Sequence, residues 1–352
     1  MMPLLFLRDA ALAFLVSALA GLLLIKPVMA LLKGLGSKQN VSAHLPEHQV
    51  KQGTPTMGGI LIVAASLIAM VILAPKNWFA VSGFLLFALI GFIDDFIAPK
   101  KMGLPRGLPW RAKLLMQIVA AFLMSLDLGA IFGRSIAEVS PWATAITVFI
   151  ILFLSNAYNF TDGLDGLAGS VGIAFCFGLI ALFSLALPFG SIGIVSGAIG
   201  GALLAFLFLN APPARVFMGD VGSLPIGAML GFGLSQLLFG GELLPLGNYH
   251  YYYIEGAVLS SSVFYHVSQI APSVLLLCGV MMAELIPVPL QILSVKVRKK
   301  KLFLKTPIHH AFEEKGIPET KIVWWFTSAQ LLLSVAAIAT AIWFTLGGVV
   351  HS

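Results

Sequence analysis

Four polar stretches interrupt an otherwise apolar chain, and their residue types suggest phosphate chemistry. In NFTDGLDGLAG (159–169), Asp162 and Asp165 sit three apart among glycines, so one helical turn puts both carboxylates on one face. Asn156 and Asn159 precede them at the same spacing, and the glycines let backbone approach a ligand closely. An N-capped loop between two helices would account for one aspartate, not for this set. In GFIDDFIAPKK (91–101), Asp94 and Asp95 are adjacent carboxylates that repel each other at a helix end; a divalent cation or a retained proton relieves that repulsion. The alternative is a solvated helix end. FMGDVGSLPIG (217–227) sets Asp220 between glycines before a helix, as a hard-cation ligand or as an N-cap. TPIHHAFEEKG (306–316) adds His309 and His310, which can bind phosphate or orient a group by hydrogen bonding.

These stretches must be positioned by membrane helices. The chain has 352 residues, 59% hydrophobic and 10% charged, far from the roughly 25% charged residues of soluble domains. The apolar runs are continuous, which excludes a β-barrel, whose strands alternate. Runs of membrane length fall near 4–25, 57–74, 79–97, 114–132, 143–160, 167–187, 191–210, 223–240, 272–295 and 322–346. The expectation is a single polytopic membrane domain over residues 1–352: an all-α integral membrane protein with about ten transmembrane helices. Cys176 and Cys278 lie inside apolar runs and read as inert core thiols. Segment 241–271, rich in Tyr, His and Ser, reads as an external loop. Glu284 lies deep in the ninth run, where a carboxylate is functional by default, or else satisfies backbone groups freed by Pro287 and Pro289.

Basic residues set the orientation. With the N-terminus outside, the inner loops hold 18 of the 21 Lys and Arg, leaving out Arg8, Lys76 and Arg134. Both termini are then periplasmic. That assignment uses no acidic residue, yet it sends Asp94, Asp95, Asp162, Asp165 and Asp220 to the cytoplasmic ends of helices, with His309 and His310 on the same side. KVRKKKLFLK (296–305) follows a hydrophobic helix directly, so it reads as a cytoplasmic flank and not as a nucleic-acid site. There is no Walker A, GxGxxG or GxSxG motif, so phosphate chemistry here runs through metal and basic side chains.

QGTPTMGG (52–59), GFIDDF (91–96), NAYNFTDGLDGLAG (156–169), FMGDVGSL (217–224) and TPIHHAFEEKGIPETKIV (306–323) together resemble the phospho-N-acetylmuramoyl-pentapeptide transferase family. This family lies within the wider polyprenyl-phosphate N-acetylhexosamine-1-phosphate transferases. The resemblance runs from about residue 26 to the C-terminus, with the motifs in the family's order. It implies ten helices in a bacterial inner membrane and an active site at the cytoplasmic face. It also implies a Mg²⁺-dependent transfer from UDP-N-acetylmuramoyl-pentapeptide to undecaprenyl phosphate, with UMP released. On that resemblance Asp94 and Asp95 form the catalytic pair and Asp220 holds the metal. Asn156, Asn159, Asp162 and Asp165 line the substrate site, Lys51 and Thr56 flank the nucleoside, Phe217 stacks on uracil and Lys113 meets the phosphates. His309 and His310 join the catalytic set; the family's usual third histidine is Ala311 here. Two copies are expected to pair through the membrane. The other readings are a sibling transferase moving N-acetylglucosamine-1-phosphate and an ion-coupled transporter; the latter sits badly with carboxylates gathered on one side.

Overall fold

A computed structural model describes residues 2–36, 53–75, 78–104, 107–130, 141–186, 191–243 and 263–350. Lys51 and Arg106 lie outside the described residues, as does most of the expected external loop. All regular structure of any length is helical, as it must be where long apolar runs satisfy their backbone groups internally. In chain order the helices are α1 (Met2–Leu35), α2 (Gly59–Leu73), α3 (Trp78–Phe92), α4 (Ala98–Lys101), α5 (Trp110–Ala130), α6 (Pro141–Thr161) and α7 (Leu167–Ala186). Then come α8 (Ile192–Asn210), α9 (Asp220–Leu243), α10 (Val263–Leu277), α11 (Gly279–Leu285), α12 (Pro287–Arg298), α13 (Ile308–Glu314) and α14 (Glu319–Val350).

Among the described residues, eight helices are long and apolar enough to cross a bilayer, by length and composition. The chain is a multi-pass membrane protein. The expected second span is a helix of 15 residues, about 22 Å long and short of a ~30 Å hydrocarbon core. The expected ninth span, 272–295, is met by α11 and α12, which run on through Ile286 at φ −60° and ψ −40° with its N–H bonded to the Met282 carbonyl. Gly279–Arg298 is thus one apolar stretch of 20 residues, long enough to cross, and Cys278 joins it to α10. The external-loop reading of 241–271 is corrected at its edges: α9 continues to Leu243 and α10 begins at Val263. The tyrosine- and serine-rich stretch misled because Pro272 is tolerated inside α10, which packs against α14.

α9 is the central helix. It packs against α6 on one side and α3 on the other, and nearly every side chain along it is buried. The α3–α9 crossing is tight: a Cβ on Gly91 would lie 2.2 Å from the Asp220 carbonyl oxygen, so only glycine lets the helices meet there. This crossing brings the C-terminal end of α3 against the N-terminal end of α9. The start of α2, the start of α5 and the end of α6 converge on the same point.

Candidate functional site

Asp94 and Asp95 lie on a single π-helical turn, Ile93–Ile97, set between α3 and α4. Such a turn carries one extra residue and is frequent at functional sites. Here it turns both adjacent carboxylates toward α9. Asp95 accepts the Val221 N–H at 3.0 Å, so it caps the positive end of α9. Asp94 accepts the Leu108 N–H at 2.6 Å. Asp94, Asp95 and Asp220 each offer a carboxylate oxygen, all within 4.8 Å of one another.

Lys113, from the first turn of α5, reaches into this cluster. Its ammonium pairs with Asp94 at 3.3 Å and also with Asp220. The side chains of Lys113, Asp94 and Asp220 are only 20%, 14% and 17% exposed, so the group is largely desolvated yet open on one side. Asn159 donates to Asp220 at 2.7 Å and to Ser223 at 2.8 Å, fixing the Asp220 rotamer from α6. Three carboxylates face one ammonium. Their charge and their hard oxygen donors fit a small divalent cation such as Mg²⁺.

The sequence stretches around Thr56 and Phe217 meet directly. Phe217 N–H donates to the Pro55 carbonyl at 2.9 Å, while Gly58 and Gly59 N–H donate to the Phe217 and Met218 carbonyls, both at 2.8 Å. A Cβ on Gly219, which has φ +73°, would sit 2.5 Å from Asp95 Oδ2 and 3.2 Å from Thr56 Oγ1. Thr56 therefore borders the carboxylate cluster, and Phe217 stands half-buried two residues from Gly219.

Asp162 belongs to this neighbourhood. Burial, then the nearby Asp220 charge, pushes its carboxyl up to about 7 against the pull of a Gly219 N–H hydrogen bond. Asp165 does not. It is 4% exposed and accepts the Ala214 N–H at 2.8 Å, while its own N–H donates to Glu319. It ties the loop after α6 to the loop before α9. Asn156 points a turn deeper, donating to Gln117 at 2.8 Å and to the Leu152 carbonyl.

His309 and His310 diverge in role. His309 is fully buried, with Nδ1 2.8 Å from Glu284, and a Cβ on Gly163 would meet its Nε2 at 2.3 Å. His310 pairs through Nδ1 with Glu313 at 2.6 Å, its ring centroid 4.2 Å from that of His309. His309 thus stands at the loop carrying Asp162, with His310 beside it. Ser223 and Gln117 were missed from sequence; Gln117 lies one helical turn beyond Lys113 on the same face, which was the available signal.

Two family models match this chain. Residues 77–237 match Glycosyl transferase family 4, and residues 51–63 match Phospho-N-acetylmuramoyl-pentapeptide-transferase signature 1. The chain is similar to the phospho-N-acetylmuramoyl-pentapeptide-transferase of Thermotoga maritima, 35% identical over 83% of this chain and 86% of that one. It is also similar to those of Sulfurimonas denitrificans, 33% identical over 94% and 93%, and Campylobacter jejuni, 32% identical over 94% of each. The signature covers the strip that includes Thr56, and the broader match spans every aspartate of the cluster.

Proposed function

The chain belongs to the phospho-N-acetylmuramoyl-pentapeptide transferase family, and from that premise we propose how its residues divide the work. The protein transfers phospho-N-acetylmuramoyl-pentapeptide from its UDP carrier to undecaprenyl phosphate, releasing UMP and making the lipid-linked precursor of peptidoglycan. The observation that carries the assignment is the meeting of Asp94, Asp95 and Asp220 within 4.8 Å, beside Lys113. Both substrates are anionic at the reacting phosphates, so the site must supply positive charge.

Asp220, with support from Asp94 or Asp95, would hold Mg²⁺, and when bound the ion would offset the charge of the pyrophosphate and of departing UMP. Lys113 turns from the carboxylates to the phosphates of the donor. Thr56 and Lys51 border the nucleoside, and Phe217 stacks on uracil. Asn159 keeps Asp220 oriented, and Asp162 lies beside it at the nucleotide end. The lipid phosphate attacks the β-phosphorus of the donor directly, and a carboxylate of the Asp94–Asp95 pair takes its remaining proton. The P–O bond to UMP breaks as the new one forms.

The site lies at the cytoplasmic face of a bacterial inner membrane, in a single membrane domain of ten spans with both termini periplasmic. The distribution of Lys and Arg supports that orientation. Two copies pair through the bilayer. The test is UMP release by purified protein with UDP-N-acetylmuramoyl-pentapeptide, undecaprenyl phosphate and Mg²⁺. Release with UDP-N-acetylglucosamine and not with the muramoyl donor would overturn the substrate assignment.

A further inference from the structure

Glu284 is a carboxylate inside an apolar helix pair, and nothing in the reaction as described uses it. It is fully buried on α11, which continues through Ile286 into α12. α11 packs against α6, where Thr161 Oγ1 meets Met281 at 3.5 Å, so Glu284 stands behind the loop that carries Asp162. A buried carboxylate is costly unless it has a specific partner. Its partner is His309 Nδ1, 2.8 Å away and likewise fully buried. The other ring nitrogen, Nε2, has no hydrogen-bond partner among the described residues and abuts Gly163, next to Asp162.

We infer that Glu284 is a positioning residue: it accepts the Nδ1 proton of His309 and so fixes which ring nitrogen faces the substrate loop. A carboxylate can only accept, so the Nδ1–H is held toward Glu284 and the ring orientation is set. Nε2 is then the atom presented at Gly163, in contact with the segment that binds the nucleotide end. The inference rests on the proposed place of His309 at the site, and goes beyond it by naming what aims the ring.

The test is Glu284→Gln, which keeps volume and hydrogen bonding but offers an N–H to Nδ1. Its oxygen could instead accept the Nδ1 proton, so Glu284→Leu, which offers no acceptor, is measured beside it and should lose turnover as well. A purely structural pair would tolerate the change, because a buried neutral amide can satisfy the imidazole. The positioning account expects kcat for UMP release to fall by about 10²-fold or more at unchanged melting temperature, as when the wrong imidazole tautomer is imposed. Ring ¹⁵N shifts of labelled histidine, assigned by difference with His309→Ala, should show the proton moved from Nδ1 to Nε2. In the His309→Ala background, Glu284→Gln should cost nothing further, since its effect runs through the ring. Wild-type turnover of both Glu284 variants, or additive losses in the double variant, would overturn the inference while leaving His309 at the site. Full turnover of His309→Ala would overturn both.

Discussion

Gly219→Ala should break the site without touching a functional side chain. Gly219 has φ +73°, in the left-handed region, and precedes Asp220 at the start of α9. Alanine there costs about 1–2 kcal/mol in backbone conformation alone. Its Cβ would also come 2.5 Å from Asp95 Oδ2, a distance no real contact tolerates. Backbone of α9 cannot retreat, because Gly91 and Gly59 already touch it on two sides. Asp95 must therefore move and lose its 3.0 Å bond from Val221 N–H, a charged hydrogen bond worth about 1.5–3 kcal/mol. The combined penalty of about 2.5–5 kcal/mol falls on the geometry that brings Asp95 beside Asp220, which corresponds to roughly 10²–10⁴ in turnover. Gly103→Ala is the control: its φ is +67°, yet nothing lies within 4 Å of its would-be Cβ. The assay is UMP release against Mg²⁺ concentration, with melting temperature measured on the same samples. Gly219→Ala should lose turnover and demand more Mg²⁺, whereas Gly103→Ala should lose only a little stability. Equal activity of the two variants would refute the placement of Asp95 in the cluster.

Asp220→Asn removes one charge from a metal site of three carboxylates, so half-saturation by Mg²⁺ should rise steeply; unchanged Mg²⁺ demand would move the metal elsewhere. Asp162, raised to about 7 from 3.8, binds its proton more tightly folded than unfolded, so its cost is full above pH 7 and disappears as pH falls toward 4. In EDTA the wild type should therefore gain stability, on the order of 3 kcal/mol, between pH 8 and pH 5, and Asp162→Asn should lack that gain in a denaturation series. Asp165→Asn, by weakening the strap to Ala214, should lower stability by about 1–3 kcal/mol while leaving the KM for the UDP-sugar nearly unchanged; a large KM effect at constant stability would return Asp165 to the substrate site.

The sequence made the helices legible wherever an apolar run was unbroken. α6, α7 and α8 fall within two residues of the expected spans, because apolar length and a polar border are local signals. It failed at a charged border and where tertiary contacts decide. The expected ninth span, 272–295, was displaced toward the N-terminus: the 20-residue apolar stretch of the fold is Gly279–Arg298, and the basic residues at its end made hydropathy close it early. Asp94, Asp95 and Asp220 were legible as residue types at helix ends, whereas Lys113 was placed at the phosphates only through the family resemblance. Asp165 shows the limit of that reasoning. Its spacing from Asp162 suggested one face of a helix, but Gly166 at φ +80° helps make the segment a turn, and Asp165, though still near Asp162, bonds to Ala214 instead. Spacing predicts a shared face only if the backbone between the residues is helical.

Glu284 presented the opposite case, an unambiguous signal with no partner in view. Intramembrane carboxylates are rare enough to mark function, yet the residue that explains this one lies 25 positions downstream, across the rest of its own span and a basic loop. No periodicity links them. The aspartate cluster is a similar assembly: Asp94, Lys113, Asn159 and Asp220 come from four separate elements, and each is held by backbone that glycine makes possible at Gly91, Gly107 or Gly219. The glycines in these motifs and the charged residues beside them therefore carry one requirement. Carboxylates can be crowded to within 4.8 Å only where helices approach closely enough for backbone N–H groups and one ammonium to hold them. A site so assembled keeps an excess of negative charge poised for a cation, and two anionic substrates can meet there once that cation is bound.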